Sequence, residues 1–338
     1  VLIGWLRLAI FVKFVGKNFG RLTEAFVSET IFKNWTSDLS RDWGKKPIRI
    51  DHSLSQNELF SKDALAELIQ RYPIEHYSLM RTSSRGEEKK IWRRGEVGGL
   101  SGHEVMAQIA SGGLWLQLRE LKLVDKRYYD LLQSIYGEVE QRVPGFDSFN
   151  HEMGVLISSP NAKAHYHADL PGQALWQIMG RKRVYIYPAE EPYLPQAELE
   201  KIALTGLESA LQYDPEFDRH ALVLDLEPGQ MLTWELNAPH RVENHDELSV
   251  SMTTEHWTEE IRRQQMLTVA NGILRKHFGV SPKRGPADGA SFWAKAVLQA
   301  GWRRSPWYKR EQRKMLPVDF RLTPGTTTSI VDIPAYVV

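Results

Sequence analysis

The chain has 338 residues, with 43 Lys and Arg against 42 Asp and Glu, so its formal net charge is +1. A balance this close to neutrality excludes bulk attraction to nucleic acid or to an anionic membrane as the basis of function. There is no cysteine, which removes disulfides, thiolate metal sites and cysteine nucleophiles together and fits a reducing, cytoplasmic compartment. Apolar residues make up 42% and charged residues 25%, the composition of a folded domain with a sizeable core.

Residues 1–15 (VLIGWLRLAIFVKFV) are apolar but broken by Arg7 and Lys13, too short and too charged for an integral membrane span and without the marks of a signal peptide. As a helix, Arg7, Lys13, Lys17 and Arg21 would share one side opposite an apolar face. The expectation is a helix docked on its own domain; peripheral membrane contact through residues 1–21 is the second reading. The chain opens on Val1 rather than Met, and what precedes it is open. Residues 62–71 (KDALAELIQR) predict a short amphipathic helix stopped by Tyr72-Pro73. Residues 82–99 lack periodicity and read as an exposed loop. Residues 124–143 predict a long helix ended by Pro144-Gly145.

Composition then changes. Between residues 151 and 257 come eight short runs rich in β-branched and aromatic residues: MGVLISS, AHYHAD, ALWQIMG, RVYIYP, ALVLDL, MLTWEL, HRVEN and LSVSMTTEHW. Turn residues separate them, which predicts an antiparallel barrel or jelly roll. The expected organisation is α+β with a mainly β core. A mostly helical region (1–145) precedes the barrel (146–257), which carries a helical insertion at 190–218. C-terminal helices and a basic tail follow at 258–338, with helices expected over 259–278 and 290–300. The tail at 302–315 (WRRSPWYKREQRKM) holds six basic residues, one acid and three aromatics. It reads as a solvated tail or a homodimer contact through the C-terminal helices, and no nucleic-acid-binding motif accompanies it.

His165, His167 and Asp169 occupy every second position of HYHAD, so on a strand all three share one face. Three such groups on a buried face need compensation, and a metal ion is the simplest. His240 in APHRVEN is the best third ligand from a distant strand. Two histidines and one carboxylate leave coordination positions open, an arrangement that suits non-haem Fe(II). In RKRVYIYP, Lys182 shares parity with Val184 and Ile186 and so faces inward, where a lysine calls for an anion.

Together these residues resemble the jumonji-C, cupin-like 2-oxoglutarate oxygenases, and among them the branch of the asparaginyl hydroxylase of hypoxia-inducible factor. The resemblance lies in HxD at 167–169, Gly180 eleven residues on, GRKR at 180–183, and Pro228-Gly229 with His240 eleven residues after the glycine. It covers residues 146–257. It implies a double-stranded β-helix (the cupin jelly roll), with His167, Asp169 and His240 as metal ligands for Fe(II). Lys182, thirteen residues after Asp169, would hold 2-oxoglutarate. Gln173 stands where the family often has asparagine, and would donate to the same co-substrate. Ala164 replaces a frequent hydroxyl residue, and Ala238-Pro239 a usual aromatic pair. The implied activity is dioxygenase hydroxylation of a C–H bond with O₂ as second co-substrate; protein side chains and small molecules are both open as primary substrate. The alternative is a cupin that holds a metal or ligand without oxidative turnover, as a sensor or scaffold. Ordinary cupins use H-x-H with a later histidine, so spacing alone leaves open whether His165 is a ligand. His151, His220, His245 and His256 have no partner spacing and are expected to be structural or exposed.

Overall fold

Each of the eight runs forms a strand in the computed structural model, which describes residues 30–81, 93–206, 211–283, 285–311, 316–325 and 327–338. The expected helix at 1–21 and most of the 82–99 loop lie outside the described residues.

The first part of the chain has more helix than strand among its described residues, but both are present. It does contain α1 (Ser37–Asp42), α2 (Lys62–Gln70), α3 (Gly102–Ser111), α4 (Leu121–Val124) and α5 (Lys126–Arg142). It also contributes β1 (Phe32–Lys33), β2 (Ile48–His52), β3 (Tyr77–Arg81), β4 (Arg93–Glu96) and β5 (Leu114–Leu118). These strands are two to five residues long, too short to print a period on the sequence. They form because neighbouring strands offer them edges to pair with.

The eight runs form β6 (Ser148–Ser158), β7 (Lys163–His167), β8 (Gly172–Met179), β9 (Lys182–Ile186), β10 (Leu222–Leu226), β11 (Gln230–Thr233), β12 (His240–Asn244) and β13 (Ser249–Thr258). The insertion holds α6 (Gln196–Thr205), and α7 (Glu259–Phe278), α8 (Gly289–Arg304) and α9 (Pro306–Glu311) follow the last of these strands. The expected C-terminal tail then turns back into sheet as β14 (Val318–Leu322) and β15 (Ile330–Tyr336).

Two sheets result. The larger runs β1-β2-β11-β8-β13-β6-β5-β3-β4-β14-β15 and the smaller β10-β9-β12-β7. All pairings are antiparallel except β4 with β14. The central strand β8 is buried on both sides. Trp176, Ala174 and Ile178 join the core beneath α2, α3 and α5, while Leu175 joins Val184, Ile186 and Val242 of the smaller sheet. Helix α5 is capped by Asp125, whose carboxylate accepts from Arg127 N, and buries Tyr128, Leu132, Ile135, Tyr136 and Val139 on one stripe. Trp176 is fully buried, and its indole N–H donates to Thr254 Oγ1 at 3.0 Å. The insertion docks through α6 on α7, where Glu200 accepts from Arg275 Nε at 2.6 Å.

The turn from β8 into β9 sets the register of Lys182. Gly180 holds φ +68° there, and a Cβ would lie 2.4 Å from the carbonyl oxygen of Leu248, so a side chain meets both backbone strain and a clash. Gly180→Ala is expected to lower the free energy of unfolding by about 1–3 kcal/mol. An unchanged midpoint in urea denaturation would show that the turn tolerates a side chain.

Candidate metal centre

His167 ends β7, Asp169 lies in the turn beyond it, and His240 opens β12. His240 and His167 are direct cross-strand partners, with ring centroids 4.1 Å apart. His240 Nε2 lies 3.3 Å from Asp169 Oδ2. One ligand atom from each of the three residues falls within 4.8 Å of the others.

Backbone carbonyls orient both rings. His167 Nδ1 sits 2.6 Å from His165 O, and His240 Nδ1 sits 3.1 Å from Ala238 O. A carbonyl can only accept, so each Nδ1 carries the proton and each Nε2 keeps its lone pair for a metal. Burial, followed by the nearby His167, lowers the pKa of His240 to about 4, so it is the neutral form that a metal requires. Asn237 Nδ2 donates to the backbone oxygen of Asp169 at 2.6 Å, tying the turn that carries the carboxylate to the segment that leads into His240. The Trp234 ring packs 4.5 Å from that of His240.

These groups line a cavity of about 260 Å³ between the two sheets. Lys182 lies in its wall, 5% exposed, and has no ion pair among the described residues. Burial brings its pKa down to about 7. Its cross-strand neighbour Asn244 is committed elsewhere, donating to Ser158 Oγ and Ser159 O at 2.8 Å each. Gln173 faces the same cavity from β8, as do Thr253 and Glu255 from β13.

The structure corrects one expectation about shared faces. Counting back from the paired His240 and His167, Val242 meets Ala164 rather than His165. A bulge therefore places one extra residue in β7 and reverses the alternation beyond it. Ala164 reaches the cavity wall, and the half-buried His165 lies outside the three-residue cluster and does not line the cavity.

Sequence reasoning missed Glu255. The signal was there in a lone carboxylate at the end of the uncharged run SVSMTT, in step with Ser251 and Thr253. Burial first, and the Asp169 charge second, raise its pKa to about 7. Other histidines serve packing or surface pairing. His151 stacks on Tyr136 with centroids 3.9 Å apart, His256 packs against Phe146, and His245 lies 3.3 Å from Asp225 Oδ1.

No family model matches the chain, and no curated protein matches it. Among solved structures it is similar to YcfD, a ribosomal oxygenase from Escherichia coli. With the cobalt and 2-oxoglutarate complex it shares 18% identity, covering 83% of this chain and 69% of that one, with a TM-score of 0.47. With the cobalt and succinic acid complex identity is 15%, over 83% and 69% of the two chains, with a TM-score of 0.44.

The Lys182 ammonium sets a pH signature. Its folded pKa, about 7, lies below its ordinary 10.5. Below pH 7 the folded chain bears the full cost of a buried charge, and that cost fades as pH rises toward the unfolded value. Lys182→Met should therefore raise the melting temperature at pH 6 and do so much less at pH 10. An equal gain at both pH values in thermal melts would show that the ammonium is not desolvated.

Proposed function

We propose that the protein is a metal-dependent enzyme of the cupin jelly-roll class, its barrel spanning residues 146–257 with the insertion at 190–218. More specifically, we infer an Fe(II)- and 2-oxoglutarate-dependent oxygenase that hydroxylates a C–H bond. One observation carries this reading: a buried Lys182, with no ion pair among the described residues, faces the same small cavity as His167, Asp169 and His240. The three-residue set supplies two imidazoles and one carboxylate, which fits a divalent cation with coordination positions left open. The lysine supplies the counter-charge for an acid bound beside it.

In this reading His167, Asp169 and His240 hold Fe(II), which when bound supplies the redox chemistry for O₂. Lys182 takes a carboxylate of 2-oxoglutarate, and Gln173 donates a further hydrogen bond. Trp234 and the apolar Leu175 and Val242 keep bulk water from the same space. Trp234 also lines a groove of about 1,860 Å³ bounded by α1, residues 189–191 and α7. The primary substrate approaches along that groove, which exceeds the usual volume of a small-molecule pocket and admits part of a larger molecule. Among the described residues no helix is long and apolar enough to cross a membrane.

Incubation with Fe(II), ascorbate and 2-oxoglutarate should yield succinate, at least as uncoupled turnover. Asp169→Ala should abolish it and weaken Fe(II) binding by about 10-fold or more. Unaltered Fe(II) affinity in that variant would remove Asp169 from the ligand set. Absence of both turnover and 2-oxoglutarate binding in the native protein would favour a cupin that binds metal without oxidising anything.

A further inference from the structure

Glu255 is a half-buried carboxylate in the cavity wall to which the proposed chemistry gives no task. It sits on β13 between two in-register neighbours, Gln173 on β8 and Glu152 on β6. Glu152 in turn pairs with Lys122 of α4. A row of polar groups therefore crosses three strands, from a mostly buried lysine on the helical side to the cavity.

The chemistry of that row is directional. An ionised carboxylate only accepts hydrogen bonds, whereas a glutamine amide can present either its oxygen or its NH₂. Gln173 is the direct cross-strand partner of Glu255, both line the cavity, and the amide beside the carboxylate favours its ionised form. In the flipped orientation Oε1 would face the carboxylate, acceptor against acceptor. In its ionised form Glu255 thus selects one of two otherwise similar amide orientations, and the NH₂ so selected has a second N–H to give. Lys122 offsets the charge of Glu152 behind it, so that the like-charged pair in register can be held.

We propose that Glu255 is a positioning residue: by taking one N–H of Gln173, it fixes that amide as a hydrogen-bond donor toward the acidic co-substrate. The inference rests on the 2-oxoglutarate reading and adds a residue to it. Lys182 and Gln173 then present only donors to the bound acid, and Glu255 acts on that acid through Gln173.

The test is a double-mutant cycle read by calorimetry, with 2-oxoglutarate titrated into the Mn(II)-loaded full chain without O₂. Gln173→Ala and Glu255→Ala should each weaken binding about 5- to 10-fold, the value of one hydrogen bond. The double variant should be within about twofold of either single one, because both remove the same donor. Glu255→Gln preserves shape and guards against a folding defect. It should weaken binding about threefold, since its own amide lets Gln173 face either way. In the metal-free protein, the side-chain amide protons of Gln173 should shift in nitrogen-edited NMR spectra of Glu255→Gln.

Two results overturn the proposal: Glu255 variants that bind as tightly as the native chain, or losses that multiply in the double variant. A native chain that binds Mn(II) but no 2-oxoglutarate would overturn the oxygenase reading itself, and this inference with it. That outcome is distinct from a native chain that binds while the Glu255 variants bind equally well.

Discussion

Most of the chemistry proposed here depends on β12 meeting β7 in one register. His240 lies directly across from His167, and the alternation of a strand means that a slip of one residue would turn His240, Val242 and Asn244 away from the cavity together. The register is held from several directions. On its other edge β12 pairs residue by residue with β9, which sets Asn244 against Lys182. Asn237 ties the approach to β12 onto the backbone of Asp169. The bulge in β7 lets the strand continue past the histidines without moving His167. A cluster assembled from positions more than seventy residues apart in the chain thus rests on backbone pairing rather than on contacts among the side chains themselves.

The same geometry explains what could be read in advance. Strands β6 to β13 carry β-branched and aromatic runs that announce themselves, and α7 spans the residues expected to be helical after the last of those runs. Lys182 was legible because its parity with Val184 and Ile186 survives in β9. His165 was misplaced because a bulge leaves no mark in composition; only the partner strand reveals that a residue has been added. Strands β1 to β5 were hidden for another reason. A two-residue strand such as β1 exists only because β2 lies beside it, and β4 takes a partner over two hundred residues away. Glu255 went unread because its meaning comes from Gln173 and Glu152, which neighbour it only in space.

The cavity also shows where stability yields to chemistry. A buried ammonium with no ion pair among the described residues, a carboxylate beside two imidazoles and a second, half-buried carboxylate are each unfavourable in so enclosed a site. The surrounding structure does not neutralise them one by one. It spends its reliable contacts elsewhere: Gln177 donates to Met179 O, Gly180 O and Ser249 Oγ and accepts from Ser251 Oγ, and Trp176 anchors the opposite face of β8. The strand that borders the site is therefore rigid on its own account, and the charged groups can remain available to ligands.

The parallel pairing of β4 with β14 has a consequence for how the chain comes into being. Val318 aligns with Arg94, Phe320 with Gly95 and Arg321 with Glu96. Arg93 reaches Asp319, and Glu96 is joined by both Arg321 and Tyr336. During synthesis β4 emerges more than two hundred residues before β14 and waits for its partner while that stretch of chain is made. For that interval its outer edge is an open row of backbone donors and acceptors, the kind of edge that invites pairing with other chains. Arg93, Arg94 and Glu96 give the waiting strand three charged residues out of four, a composition that discourages such encounters until β14 arrives.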